Sequence, residues 1–296
     1  MFIPDLELFP RERFTAIIYG AAGAGKSTTA LSLLKNPDLK LIHFALEATT
    51  LAAMRNCFEV YGIEELAEGQ LTYVTPDAAI AKDELSFKGN TDGSFYDNIV
   101  KALFTTKGVD VATGKSVSLG KFNSYTGDTV LIFDGVSALV ETITNRANAD
   151  AITKKVQDNG MAVYGIGQKY IIGLFNQLTK GTKAHVIVLG HQKLADEKAV
   201  AKYTNIKPIN PDFYTRSLVD QVCGMFTYVF YAKRNSLNNS FRLSVAETNA
   251  YTRDSINRDK FKRVIAEVNK ELKQHEKIAL DNLPFDLTHP VYDFLK

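Results

Sequence analysis

Residues 20–27 read Gly-Ala-Ala-Gly-Ala-Gly-Lys-Ser, a run of small residues closed by an ammonium and a hydroxyl. No side chain before the lysine can do chemistry, so the chemistry must come from the backbone. Gly20, four residues, then Gly25, Lys26 and Ser27 meet the G-x-x-x-x-G-K-[ST] spacing of a Walker A loop. The small residues Ala21, Ala22, Gly23 and Ala24 let successive N–H groups turn inward around a polyphosphate, and the helix expected after the loop adds about half a positive charge at its start. Lys26 is placed to reach the β and γ oxygens, Ser27 to hold Mg²⁺, and Thr28 to continue the cradle into the helix. A dinucleotide-type G-x-G-x-x-G reading fails, because Gly23 and Gly25 are followed by Lys26, Ser27 and Thr28 with no third glycine.

Three further polar residues follow apolar runs that read as buried strands. Val130–Phe133 ends in Asp134, the form expected of a Walker B acid that touches Mg²⁺ directly or through water. Leu39–Leu46 ends before Glu47, and Val186–Leu189 is closed by Gly190, His191 and Gln192. Ligands of open α/β sheets bind beyond the carboxyl ends of the strands, so Glu47, Asp134 and Gln192 are candidates to face the crevice that holds the loop. Each has an ordinary alternative: a solvated acid near a helix start, a structural aspartate, and an amide that caps a loop.

The elements that must position these residues are legible in outline. A β-rich run, Phe14–Tyr19, precedes the loop, and Ala30, Leu31, Leu33 and Leu34 share one face of a helix starting at Ser27. Thr49 or Thr50 caps a second helix over Leu51–Val60. From Pro76 to Gly127 the pattern weakens and reads as an insertion, with a helix-like stretch over 94–106 and a hairpin turning at Thr113-Gly114. A polar, partly basic segment over 144–170 carries Arg146, Lys154, Lys155 and Lys169 and leads into a helix at Tyr170–Leu178.

Lys193–Arg216 has little periodicity, and such long stretches are usually functional or disordered. Its basic residues Lys193, Lys198, Lys202, Lys207 and Arg216 outnumber Asp196, Glu197 and Asp212, with Tyr203, Phe213 and Tyr214 interleaved. Lysines on phosphates and bases on aromatics would suit single-stranded nucleic acid; a solvated loop with half-buried aromatics fits equally well. A second hairpin follows, Met225–Arg234 with Ser240–Thr248 across Asn238-Asn239, then a helix with Phe261, Val264, Ile265, Val268 and Leu272 on one stripe.

These elements predict an α/β fold with a mostly parallel central sheet flanked by helices, and a C-terminal hairpin and helix. The expected division is a core over 1–260, containing the 76–127 insertion, and a C-terminal helix and tail over 261–296 that dock on the core or on a neighbouring subunit. At 296 residues, 45% hydrophobic and 23% charged, the composition is that of a globular domain. No apolar run is long enough to span a bilayer, and the first residues carry no apolar signal core, so a cytoplasmic location is expected. A net charge of +2 confines any polyanion surface to a local patch. Cys57 and Cys223 sit in apolar surroundings and read as buried thiols, and the five histidines are too dispersed for a zinc site.

The order Walker A loop, Glu47, Asp134 in LIFDGVSAL, Gly190-His191-Gln192 and a late arginine cluster resembles the RecA-like ATPase core over roughly Phe14–Lys260. More narrowly it is similar to the phage-encoded Sak-type single-strand annealing and recombination ATPases, which share a short N-terminus and a TGK hairpin before Walker B. The resemblance implies ATP and Mg²⁺ as ligands, a ring or filament of identical subunits, and a role on single-stranded DNA in recombination, annealing or replication, in a bacterial or phage-infected cytoplasm. It gives Glu47 the polarisation of attacking water, Gln192 the coupling of γ-phosphate to the following DNA-binding loop, and a basic residue in trans, for which Arg253 is the first candidate with Arg258 and Lys233 behind it. Gly135 departs from the family, which commonly has serine after the Walker B aspartate. An ATP-switched scaffold with incidental hydrolysis, and more distantly a P-loop kinase, are the alternatives.

Overall fold

The computed structural model describes residues 13–46, 50–74, 107–195, 207, 209–213, 216–234, 240–246, 250, 252 and 258–295. Strand β1, Thr15–Gly20, is buried at all six positions, as expected of a strand covered on both faces. It leads through the 20–27 loop into helix α1, Lys26–Leu31, whose last turn tightens to a 3₁₀ turn over Ser32–Lys35. Then come β2 (Lys40–Ala45), α2 (Thr50–Tyr61), β3 (Leu71–Val74), the hairpin β4 (Lys107–Asp110) and β5 (Ser116–Ser118), and β6 (Thr129–Asp134). Helices α3 (Val136–Thr153) and α4 (Gly160–Lys180) separate β6 from β7 (His185–Leu194). The chain continues through β8 (Ile209–Pro211), α5 (Arg216–Gly224), β9 (Tyr228–Arg234), β10 (Phe241–Ser244) and α6 (Arg258–Glu271).

The sheet runs β10-β9-β1-β7-β6-β2-β3-β4-β5, with β8 paired to the end of β7. From β9 to β3 every neighbouring pair is parallel, and the pairs β9–β10, β3–β4 and β4–β5 are antiparallel. The expected fold class, a mostly parallel α/β sheet flanked by helices with a C-terminal hairpin and helix, is the one observed. Alternate residues of each strand feed two apolar layers. Ile17, Phe44, Phe133 and Val188 meet α3, α4 and α5 on one face. Ile18, Leu41, Ile132 and Leu189 meet α1, α2, α6 and the tail on the other. Cys57 and Cys223 are free and fully buried in these layers.

The hairpin read at Thr113-Gly114 is present; β4 pairs antiparallel with β3, so it extends the sheet edge. The stretch 94–106 lies outside the described residues. The segment over 144–170 needs correcting: most of it is helix, in α3 and the start of α4. Its buried stripe runs Val136, Leu139, Val140, Ile143, Ala147 and Ala151. The second half of that stripe is alanine among Asn, Asp, Arg and Lys, so its hydrophobic period is faint while its helix propensity is high. Asn159 then caps α4, its side chain accepting from the Ala162 N–H at 3.2 Å.

The last residues pack on this same chain. Leu283 exchanges backbone hydrogen bonds with Leu243 of β10 at 3.1 and 2.7 Å. The Leu287 N–H donates to Ser32 Oγ at 2.9 Å, and Lys35 Nζ meets Asp286 Oδ2 at 2.6 Å. Tyr292 is buried between Phe230 and Phe261 and donates to the Pro284 carbonyl at 2.6 Å. Burial of the ring pushes the Tyr292 hydroxyl pKa well up, so it stays a neutral donor.

Candidate functional site

The loop at the tip of β1 turns because two of its glycines take backbone shapes that other residues resist. Gly23 has φ 71° and Gly25 φ 77°, both left-handed. Gly20 is needed for a different reason: a Cβ there would lie 2.3 Å from the Ala232 carbonyl oxygen of β9. The turn is closed by Ala24 N–H to Ala21 O at 3.2 Å, and α1 starts with Thr29 N–H to Gly25 O at 2.9 Å. Lys26 folds its ammonium back over the loop, donating to the carbonyls of Ala21 at 2.9 Å and Gly20 at 3.3 Å. Those contacts hold Nζ against the backbone at the start of the loop. Ser27 and Thr28 follow in the first turn of α1, partly exposed.

Sheet order decides what faces the loop. β7 lies between β1 and β6, with Gly20 in register with His191 and Asp134 in register with Leu189. The Walker A loop, Gln192 and Asp134 therefore rise from three adjacent strands at the same edge of the sheet. Asp134 is only 7% exposed, and its backbone carbonyl accepts from the Leu46 N–H at 2.8 Å. Its Oδ2 is 3.2 Å from Nε2 of His43, a fully buried residue of β2. The other ring nitrogen, Nδ1, is buried with no hydrogen-bond partner among the described residues. A buried polar group is costly without a hydrogen-bond partner, and His43 is the partner of Asp134. Sequence reasoning missed this residue; an imidazole at the centre of the apolar run Leu41–Leu46 was the available signal.

Gln192 is placed differently from the expectation. The strand does not close at Gly190-His191-Gln192 but continues to Leu194, because β8 pairs antiparallel with its end. Gln192 Oε1 accepts from the Tyr231 hydroxyl of β9 at 3.1 Å, which fixes the orientation of the amide. The Tyr231 ring lies 5.4 Å from that of Tyr19. Gly135, the departure after Walker B, has φ 106° where α3 begins, a conformation that serine would occupy only under strain.

The aromatic component expected of the Lys193–Arg216 segment is corrected at Phe213. That ring is 2% exposed, 5.4 Å from Phe175 of α4, and belongs to the core. Lys193 pairs with Asp212 at 3.4 Å across the β7–β8 ribbon. Tyr203, Tyr214, Lys198 and Lys202 lie outside the described residues, as do Glu47 and Arg253. Arg258 opens α6, and Lys233 is partly exposed on β9. Among the described residues no cluster of His, Cys, Asp or Glu could hold a metal on its own.

A divalent ion carried on a polyphosphate asks less of the protein, and the donors fit it: one hydroxyl at Ser27 and one buried carboxylate at Asp134, both oxygen ligands. The loop fits the phosphates, with small residues, left-handed turns and an ammonium already positioned over it. No helix among the described residues is long and apolar enough to cross a membrane.

No protein-family model matches the chain, and no curated protein matches it. Among solved structures it is similar to the flagellar accessory protein FlaH from Methanocaldococcus jannaschii, at 16% identity over 78% of this chain and 75% of that one, with a TM-score of 0.31. So remote a likeness transfers no role.

Proposed function

We propose that the chain binds ATP with Mg²⁺ and hydrolyses it, and that turnover is coupled to single-stranded DNA in an assembly of identical subunits. The observation that carries the first part is that a lysine-closed glycine loop, a buried aspartate and a glutamine bonded to Tyr231 lie on three neighbouring parallel strands in matching register. Lys26 would leave the carbonyls of Gly20 and Ala21 for the β and γ oxygens and neutralise charge that grows there as the terminal bond breaks. Ser27 and Asp134 would hold Mg²⁺, which neutralises phosphate charge when bound. His43 keeps the Asp134 carboxylate oriented. Glu47 is assigned the polarisation of water and Arg253 the charge supplied from a neighbouring subunit, both by resemblance to RecA-like ATPases. A trans arginine contributes about 10³ to 10⁵ in rate, so an isolated subunit is expected to be slow.

The DNA part rests on connectivity. Gln192 sits on a strand that runs without a break into the β7–β8 ribbon bearing Lys193, the start of the Lys193–Arg216 segment whose five cations outnumber its three acids. A shift of the amide on loss of γ-phosphate would pass directly along that ribbon. The narrower likeness to Sak-type annealing proteins points the same way.

The test is the steady-state ATPase rate with and without single-stranded DNA over a range of protein concentrations. The expected result is a rate per subunit that rises with concentration and with DNA, and that disappears in Lys26→Ala. Glu47→Gln is expected to bind ATP and not hydrolyse it. A DNA-independent rate at every concentration refutes the coupling, and normal hydrolysis by Glu47→Gln removes that residue from the site.

A further inference from the structure

The loop has a second flank, away from Asp134. β1 is bordered by β7 on one side and by β9, then β10, on the other. A triphosphate lying across the tip of β1 with its γ end toward Asp134 and Gln192 must leave its nucleoside end on the β9–β10 side. Two aromatic rings occupy that side. A Cβ built on Gly25 would lie 2.5 Å from Phe285 Cζ and 3.2 Å from Phe241 Cδ1, so both rings press against the loop itself. The two rings stack on each other, centroids 5.0 Å apart and planes 28° apart, and the Arg234 guanidinium sits 5.6 Å from the centre of Phe241.

Beside them opens a cleft of ≈ 470 Å³, lined among others by Thr28, Asn56, Glu59, Phe241, Arg242 and Phe285. That volume is within the range of small-molecule sites. Its lining is graded: Thr28 at the loop, aromatic faces on the β10 and tail wall, and the exposed amide and carboxylate of Asn56 and Glu59 on the α2 wall. The neighbouring apolar anchors of the tail, Leu283, Leu287, Val291 and Tyr292, are at most 2% exposed. Phe285, between them, is only partly buried and borders the cleft. Flanking anchors thus fix the tail while leaving one ring at an open surface beside the phosphate cradle.

We propose that this cleft is a purine-base subsite in which Phe285 and Phe241 stack on the base of the nucleotide, with Asn56 and Glu59 facing its hydrogen-bonding edge; this rests on the phosphate-loop reading above. Aromatic faces take up a flat heterocycle with little regard to its substituents, and an amide with a carboxylate then accepts from exocyclic or ring N–H donors. The C-terminal tail is in this way part of the nucleotide site of its own subunit.

Titration calorimetry of the full-length chain with magnesium ATP and, separately, magnesium tripolyphosphate divides base from phosphate. The expected result is that Phe285→Leu, which keeps apolar bulk against Gly25 and removes the flat face, weakens ATP binding about tenfold and leaves tripolyphosphate binding and Tm unchanged. Phe241→Leu is expected to act in the same direction, whereas Lys26→Ala weakens both ligands. Unchanged ATP affinity in Phe285→Leu, or equal loss of both ligands, overturns the base subsite and leaves the phosphate loop standing. A wild-type chain that binds neither ligand overturns both.

Discussion

On the β7 side of β1 the glycine loop is followed by Gln192 of β7 and Asp134 of β6, each held by a polar partner: Tyr231, reaching from β9, at 3.1 Å, and His43 of β2 at 3.2 Å. On the β10 side it faces Phe241 and Phe285, rings held by packing, one of them from a tail that is latched to α1 and β10. The polar flank gains from fixed dipoles in a poorly solvated place, because charge stabilisation works best where donors need not reorganise. The aromatic flank offers area and shape, with Arg234 over the Phe241 ring and Arg242 at the cleft. On the proposed function, the difference separates two tasks within one site: breaking a bond on one side and holding the rest of the ligand on the other.

The largest effect is expected from Lys26→Ala, which removes the cation over the loop and should lower ATP turnover by at least about a hundredfold with the fold intact by circular dichroism. Wild-type turnover in that variant would mean the polar flank is not where the bond breaks. Asp134→Asn is expected to cost about a hundredfold in turnover as well, and to weaken the dependence on Mg²⁺ concentration, since an amide is a poor ligand for a hard cation. Gly25→Ala tests the point where the flanks meet. Its left-handed φ and its contact with Phe285 predict about 1–3 kcal/mol of lost stability in thermal melts, together with impaired nucleotide binding. Tyr231→Phe removes the hydrogen bond to Gln192 and keeps the ring. A few-fold fall in kcat with KM little changed is expected, and a change in KM alone would move Gln192 to the holding task.

The smallest effect belongs to the tail latch. Burial alone would raise the Asp286 carboxyl, but hydrogen bonds from Lys35 and Thr288 bring it below its ordinary value. A carboxyl depressed in the folded state stabilises it above the unfolded pKa of 3.8, and that contribution is lost as pH falls through the folded value. Lys35→Ala should therefore cost under about 1 kcal/mol at neutral pH, because the pair is partly exposed, and the gap from wild type should close in acid. A gap that grows on acidification contradicts the latch.

Much of the polar flank could be read from the sequence, since a strand tip places the residue after an apolar run at the sheet edge whatever the rest of the chain does. Walker A and Asp134 are of that kind, and so were the strands before them. His43 was harder, because a lone histidine in a buried strand carries no sign of which neighbour it meets; β2 lies beside β6 only through a crossover. Helix α3 was underestimated because alanine marks a buried face as well as leucine does where a second helix packs closely, without adding to hydrophobic contrast. From sequence Phe213 stays open between a base-stacking ring and a half-buried one because polar neighbours surround it, yet Phe175 and α4 cover it.

Sequence by itself determined the loop, its glycines, its lysine and the apolar runs that end in polar residues, because these depend on local backbone geometry and on periods of two and 3.6 residues. Only the tertiary structure decided that β7 lies between the two Walker strands, that His43 reaches Asp134, and that Phe285 returns to cover Gly25. Those are contacts between distant parts of the chain, and they are selected by how two apolar layers close around the sheet, a property of the whole packing that no short window of residues contains.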